Sequence, residues 1–376
     1  MPKAEESVKE LLGYANIKVN GNRPWDVQVH NEKFYSRVLS QGSLGLGESY
    51  MDSWWDCEKL DEFFYRVLIA NLDKKVKVNL RTIILNLQSR ISNMQSRSGS
   101  KKIAKQHYDL SAELYESFLD PYNQYTCGYF KSTENLNKAQ ELKLDLICRK
   151  LQFDSKDKVL DIGCGWGGFA KFAAEYCGCH VTGITISDEQ IAYARNYTKG
   201  LPVEIRKQDY RDLDKGLNKD EKFDKILVCG MIEHVGYKNY RNFMRIVHDN
   251  LEDDGLFLLH TIGGNESVTH TSSWTNKYIF PNSMIPSMKQ ISESIEGLFV
   301  VEDWHNFSPN HYDKTLMAWH GNFNNNWDKI KSRYDERFFR MWNYYLLSSA
   351  GGFRARKNQL WQVVMSKNGV HYEQIR

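Results

Sequence analysis

The sequence predicts an α/β protein, a mainly parallel sheet covered by helices on both faces, with a small, mainly helical region ahead of it. Three observations carry this. Four short apolar runs, KVLDIGC, HVTGITI, FDKILVCG and LFLLHTIG, read as buried strands, and the helical stretches GGFAKFAAEYC, SDEQIAYARNYT and YRNFMRIVHDNL lie among them. Strands that alternate with helices pair in parallel. Residues 163–168 then place four glycines in six positions, where the first strand turns into a helix. Before residue 73, VKELLGYANI and LDEFFYRVLIANL instead show helical spacing of their apolar residues, separated by the glycine-rich SQGSLGLGES.

Composition narrows the class. The 376 residues are 41% apolar and 26% charged, with a formal net charge of +3, as in a soluble globular protein. No apolar run reaches 18 residues, so no membrane-spanning helix is expected. MPKAEESVKELLG lacks the apolar stretch of a secretory signal. Seven scattered cysteines, an odd number, then fit reduced thiols in a cytosol. Cys177 and Cys179 are neighbours, but no second pair stands at ligand spacing, and no metal is expected.

Next along the chain comes KKVKVNLRTIILNLQSRISNM. Val76, Leu80, Ile83, Ile84, Leu87, Ile91 and Met94 recur at steps of three and four among basic residues. This predicts a basic amphipathic helix. From Lys74 to Lys105 there are nine Lys or Arg and no acidic residue. Such a helix either packs on its own domain with a solvated basic face or meets an anionic surface. QSRSGSKK reads as a linker. The expected organisation is a helical domain over 1–95, a linker over 96–106 and the α/β domain over 107–376.

The glycine stretch VLDIGCGWGG is the first functional motif. Its G-x-G-x-G-G spacing departs from the dinucleotide pattern G-x-G-x-x-G. Asp161 stands just before it and suits a ligand that brings an amino group and a cation rather than a pyrophosphate. In this the motif resembles S-adenosylmethionine enzymes. Asp161, Gly163, Cys164, Gly165, Trp166 and Gly167 are the candidates there. The second strand ends in Thr185 rather than an acid, so Thr185 and Gln190 are expected to meet the ribose. Asp209 and Tyr210, in KQDYRDL, suit an adenine edge and face.

Further stretches sharpen the resemblance: GSLGLGESYMDSWWDC, HYDLSAELYESFLDPYNQYTCGYF, GMIEHVGYKNY, NKYIFPN, VEDWHNF, LMAWH and FRARKNQLWQVV. Over nearly the whole chain these are similar to cyclopropane-fatty-acyl-phospholipid synthases and their mycolic acid relatives. The resemblance implies a Rossmann-like class I S-adenosylmethionine methyltransferase fold, with the N-terminal part as a lipid-side domain. It implies transfer of a methylene unit from the methyl group of S-adenosylmethionine to a cis double bond of a phospholipid acyl chain. A carbocation would form and lose a proton to bound bicarbonate. By the same resemblance, Cys127, Glu233, His260, the backbone at Ile262 and Tyr312 hold the bicarbonate, and Tyr125 and Thr126 touch the cofactor. Convergent donors suit a small oxyanion. Taken singly, Cys127 reads as a small core residue and His260 as a core histidine. The family also implies a homodimer on the inner face of the membrane, with the basic helix at lipid headgroups and no nucleic-acid partner. Ser349, in YYLLSSAGGFRAR, stands where many members carry a cysteine. The aromatics Trp304, Phe307, Trp319, Phe338, Phe339, Trp342, Tyr344, Tyr345 and Phe353 read as core or as an acyl-chain wall. Two other readings stay open: a methyltransferase of the same fold acting on an amine, and a lipid-binding protein without catalysis.

Overall fold

The computed structural model describes residues 2–72, 111–213, 215 and 220–376. The expected basic helix and the expected linker at 96–106 lie outside the described residues. The chain forms two compact units. The first takes Met1–Asn93, Thr269–Asn282 and Tyr312–Asn358; the second takes Met94–Val268, Ser283–His311 and Gln359–Arg376. Two late stretches, 269–282 and 312–358, therefore group with the N-terminal residues.

In the first unit, helices Lys33–Gln41, Ser43–Met51 and Leu60–Ile69 accompany a short antiparallel pair, β1 (Gln28–Val29) and β2 (Trp55–Asp56). Trp55 is the centre of this core. Its indole N–H donates to the Leu46 carbonyl and the Ser49 hydroxyl, both at 3.1 Å, and its ring meets Phe34, Tyr50 and Phe63. Helix Glu336–Arg354 packs on helix Leu60–Ile69. A Cβ at Gly351 would fall 2.6 Å from the Asp61 carbonyl oxygen, so this approach requires glycine. Arg354 then grips both carboxylate oxygens of Asp313, at 2.9 and 3.0 Å, and pairs with Asp61 at 2.8 Å. The GGFRAR and SLGLGES motifs thus serve one core.

Glu48 is the polar hub of that core. It accepts from Arg37 at 2.6 Å, Lys277 at 2.5 Å and the Tyr278 hydroxyl at 2.8 Å. Burial pushes its carboxyl up, but Lys277, Tyr278 and Arg37 outweigh burial and hold it at about 2. A depressed carboxyl stabilises the fold above its unfolded value, and that contribution fades as pH falls toward the folded value. We expect Glu48→Gln to cost on the order of 3 kcal/mol at pH 7. In denaturant unfolding, the gap between variant and parent should narrow below pH 4.5, the ordinary glutamate value. A gap unchanged at about pH 3 would contradict this account.

The second unit holds a seven-stranded sheet. Its strands are β3 (Lys158–Ile162), β4 (His180–Thr185), β5 (Val203–Lys207), β6 (Phe223–Cys229), β7 (Leu251–Gly264), β8 (Val300–Asn306) and β9 (Asn358–Ser366). Their order is β5-β4-β3-β6-β7-β9-β8. Neighbours from β5 to β7 pair in parallel, and β8 and β9 pair antiparallel. Successive residues feed opposite faces. Val159, Val181, Leu227 and Leu258 pack with helices Leu136–Lys150 and Gly168–Cys177. Leu160, Ile226, Val228 and Leu259 pack with helices Tyr240–Asn250 and Met288–Ile295. Burial on both faces is why the strands read as continuous apolar runs. The strand order reverses between β3 and β6, and ligands of such sheets sit outside the strand ends at that reversal.

Candidate active site

The glycine loop leaves β3 at this reversal. Gly163, Gly165 and Gly167 have φ of +85°, +54° and +82°, a region that side chains with a Cβ seldom enter. The loop is pinned to the next strand: Gly163 N–H and Cys164 N–H both donate to the Ile184 carbonyl, at 3.0 and 3.1 Å. Gly168 opens the following helix under a neighbouring segment. A Cβ there would lie 1.7 Å from the Tyr122 carbonyl oxygen and 2.6 Å from Gln124 Nε2.

Above the loop is a cavity of about 230 Å3. Tyr125, Thr126, Asp161, Gly163, Cys164, Gly165 and Trp166 line it, and so do Thr185, Gln190, Asp209 and Tyr210. Gly167 stands behind the lining, where a Cβ would come within 2.9 Å of Ala194 Cβ. Thr185 and Gln190 are joined directly, hydroxyl to amide oxygen, at 2.8 Å. Asp209 is held by Arg211 through both oxygens, at 2.8 and 2.7 Å. Arg211, Asn123, Gln124, Gln208 and His234 also line the cavity and were not anticipated. The Arg211 fork was within reach of the sequence, since a DYRD turn puts the arginine two residues from the acid. The Asn123 and Gln124 contributions depend on a loop whose path no local pattern gives.

Asp161 is nearly inaccessible, at 2% exposure. Burial drives its carboxyl up to about 7, with the Lys143 charge working against that rise. This carboxyl is poised to release its proton when a cation arrives.

The expected anion-site residues are placed unevenly. Glu233 lies in a short turn just after β6, beside the end of β7. Its Oε1 accepts from Ile262 N–H at 2.8 Å and from the Thr261 hydroxyl at 2.9 Å. Its Oε2 is buried with no partner among the described residues. Burial raises this carboxyl, and the N–H and hydroxyl donors moderate the rise. His260 is next to Thr261 on β7, and side chains alternate along a strand. The ring therefore faces the other way, where Gln362 Nε2 meets its Nδ1 at 3.2 Å and Phe307 packs edge-on at 6.1 Å. Burial, then the charges of Lys143, Lys150 and His305, hold it well below the ordinary histidine value, so the imidazole is neutral. With Gln362 donating to Nδ1, the ring hydrogen sits on Nε2, which is buried and has no partner among the described residues. The Cys127 thiol is buried and directed at the Gly128 carbonyl at 3.2 Å. Tyr312 belongs to the first unit, stacked on Phe353 at 4.2 Å.

The sequence model of the mycolic acid cyclopropane synthetase family matches residues 95–363. The chain belongs to this family. Cyclopropane-fatty-acyl-phospholipid synthase of Escherichia coli K12 is 48% identical over 358 residues, covering 95% of this chain and 92% of that protein. Among solved structures, the mycolic acid cyclopropane synthase CmaA1 complexed with SAH and CTAB superposes with a TM-score of 0.65 at 28% identity, over 71% of this chain and 98% of that one. Coclaurine N-methyltransferase, bound to N-methylheliamine and SAH, shares the fold with a TM-score of 0.70 at 22% identity, over 86% of this chain and 99% of that one. The sheet and its glycine loop are those of the class I S-adenosylmethionine methyltransferases, as the sequence implied.

In this cyclopropane synthetase family member, Ser349 sits half-buried in helix Glu336–Arg354, two residues from the Gly351 contact with Asp61. Its surroundings argue for packing, and the expected chemistry needs no protein thiolate. Ser349→Ala should keep kcat within about threefold of the parent. A loss beyond about a hundredfold, or ~2.7 kcal/mol, would show that this position takes part in the reaction.

Proposed function

We propose that this enzyme builds cyclopropane rings on unsaturated acyl chains of membrane phospholipids, using S-adenosylmethionine and a bound bicarbonate. The observation that carries the bicarbonate part is Glu233. One oxygen is fully engaged by Ile262 and Thr261, while the other is buried without a partner among the described residues. A buried acceptor left open is costly, and a small guest that donates a hydrogen bond satisfies it. Bicarbonate has that hydrogen and carries further oxygens for nearby donors. S-adenosylmethionine, when bound, supplies an electrophilic methyl carbon.

The residues of the chain do the rest. Asp161 receives the amino group of the cofactor, and the glycine loop lets the backbone come close. Thr185 and Gln190 take the ribose hydroxyls, and Asp209 with Tyr210 takes the adenine. Glu233 orients the bicarbonate so that its free oxygen accepts the proton lost at ring closure. Cys127 adds a donor to that pocket in our reading, while the neutral His260 ring stands on the other side of β7, at Gln362. Among the described residues no helix is long and apolar enough to cross a membrane. The proposal places the enzyme on the inner face of the membrane as a homodimer, with the basic stretch 74–105 at anionic headgroups.

The test is mass spectrometry of unsaturated phospholipid vesicles incubated with the enzyme, S-adenosylmethionine and bicarbonate. A gain of one CH2 per modified chain with loss of the alkene is expected, and activity should fall when bicarbonate is removed. Unchanged lipid, with cofactor consumed on an amine, would overturn the proposal.

A further inference from the structure

Lys143 is an ammonium group inside the protein that the chemistry above does not use. It projects from helix Leu136–Lys150 with 0% exposure. Among the described residues no carboxylate forms an ion pair with it. Instead Nζ donates to Gln124 Oε1 and, at 3.0 Å, to Thr126 Oγ1. One turn earlier, Gln140 Nε2 donates to the Thr126 carbonyl at 2.8 Å and the Gln124 carbonyl at 3.4 Å. Residues three apart share a helix face, so two buried side chains grip one segment. That segment, Gln124 to Thr126, is a wall of the cavity. Gly168 presses on it from below, as described, and a Cβ at Gly230 would come within 2.8 Å of Thr126 Cγ2. A buried cation without a paired carboxylate is costly, and an apolar side chain would fill the same volume more cheaply.

We infer that Lys143 is a positioning residue for methyl transfer: from the helix face it shares with Gln140, it fixes the Gln124–Thr126 wall of the cavity. The inference rests on reading the cavity as the S-adenosylmethionine site. Asp161 is opposed in its burial by Lys143. The thiols of Cys164, on the loop, and Cys229, on β6, also interact with it. Burial pushes both up, so both are neutral. Lys143 is pulled down by burial, and Cys229, Asp120, Cys127 and Asp161 act in the opposite sense.

Calorimetric titration with S-adenosylhomocysteine between about pH 6 and 9 tests this on the full-length parent, Lys143→Arg, Lys143→Gln and Lys143→Met, with thermal melts as the folding control. Parent affinity should fall as pH drops through about 7, where Asp161 takes up its proton. Lys143→Gln keeps a donor to the wall but not the charge. Its acid limb should move up by about one pH unit, with affinity near pH 7.5 down about threefold. Lys143→Met should show the same limb and a further loss at every pH. Lys143→Arg should keep the parent limb. A Lys143→Met affinity equal to that of Lys143→Gln at every pH, or affinities equal in all four proteins, would overturn the inference. A parent that binds no S-adenosylhomocysteine would instead refute the reading of the cavity.

Discussion

Glu233→Gln should lower kcat by about a thousandfold, within the range of about 10^2 to 10^4 for a positioned acid–base group, and leave the fold intact. Glutamine is nearly isosteric. Its carbonyl can still accept from Ile262 N–H and the Thr261 hydroxyl, so the contacts at 2.8 and 2.9 Å survive. What changes is the other atom. An acceptor becomes an NH2 donor, and the hydrogen of the proposed bicarbonate then meets a donor. Glu233 does not line the cofactor cavity, so KM for S-adenosylmethionine should stay within about threefold. Steady-state kinetics with a thermal melt reads both. A variant within about tenfold of the parent in kcat would remove Glu233 from the reaction.

Asp161→Asn separates binding from stability. The parent carboxyl is raised to about 7 from 3.8 by burial. The folded state therefore holds a proton that the unfolded chain releases, and stability falls as pH rises through that interval. At pH 8 this penalty is on the order of 4 kcal/mol, and asparagine does not pay it. We expect the variant to melt no lower than the parent at pH 8, while its affinity for S-adenosylmethionine drops about a hundredfold for want of a charged partner. The parent should bind more weakly below pH 7, and the variant should lose that pH dependence. A variant that unfolds but binds normally once folded would reverse the assignment.

The parallel sheet was legible because its strands are buried on both faces and its loop glycines need positive φ. That Asp161, Thr185 and Gln190 line one cavity was legible for the same reason: strand ends are fixed points, and residues one to five positions on cannot be far away. His260 shows where this stops. The sequence places it at the end of β7, but strand alternation turns its ring from Thr261 and Glu233 to Gln362, a partner more than a hundred positions away. Lys143 was also invisible. On a helical pattern a lysine reads as solvated, and only the return of the 120–127 loop over that face buries it. The grouping of residues 269–282 and 312–358 with the N-terminal unit has a similar cause. It depends on close approaches at Gly47 and Gly351 that become apparent only once their neighbours are known.

That grouping also sets a schedule for biosynthesis. Leu60–Ile69 emerges from the ribosome long before Glu336–Arg354, the helix that covers it. At 5 to 20 residues per second, the interval is on the order of 15 to 60 seconds. During it, Phe63, Phe64 and the rings around Trp55 lack their cover. The N-terminal segment therefore closes its core only when nearly the whole chain has been made, shortly before β9 (Asn358–Ser366) can enter the sheet.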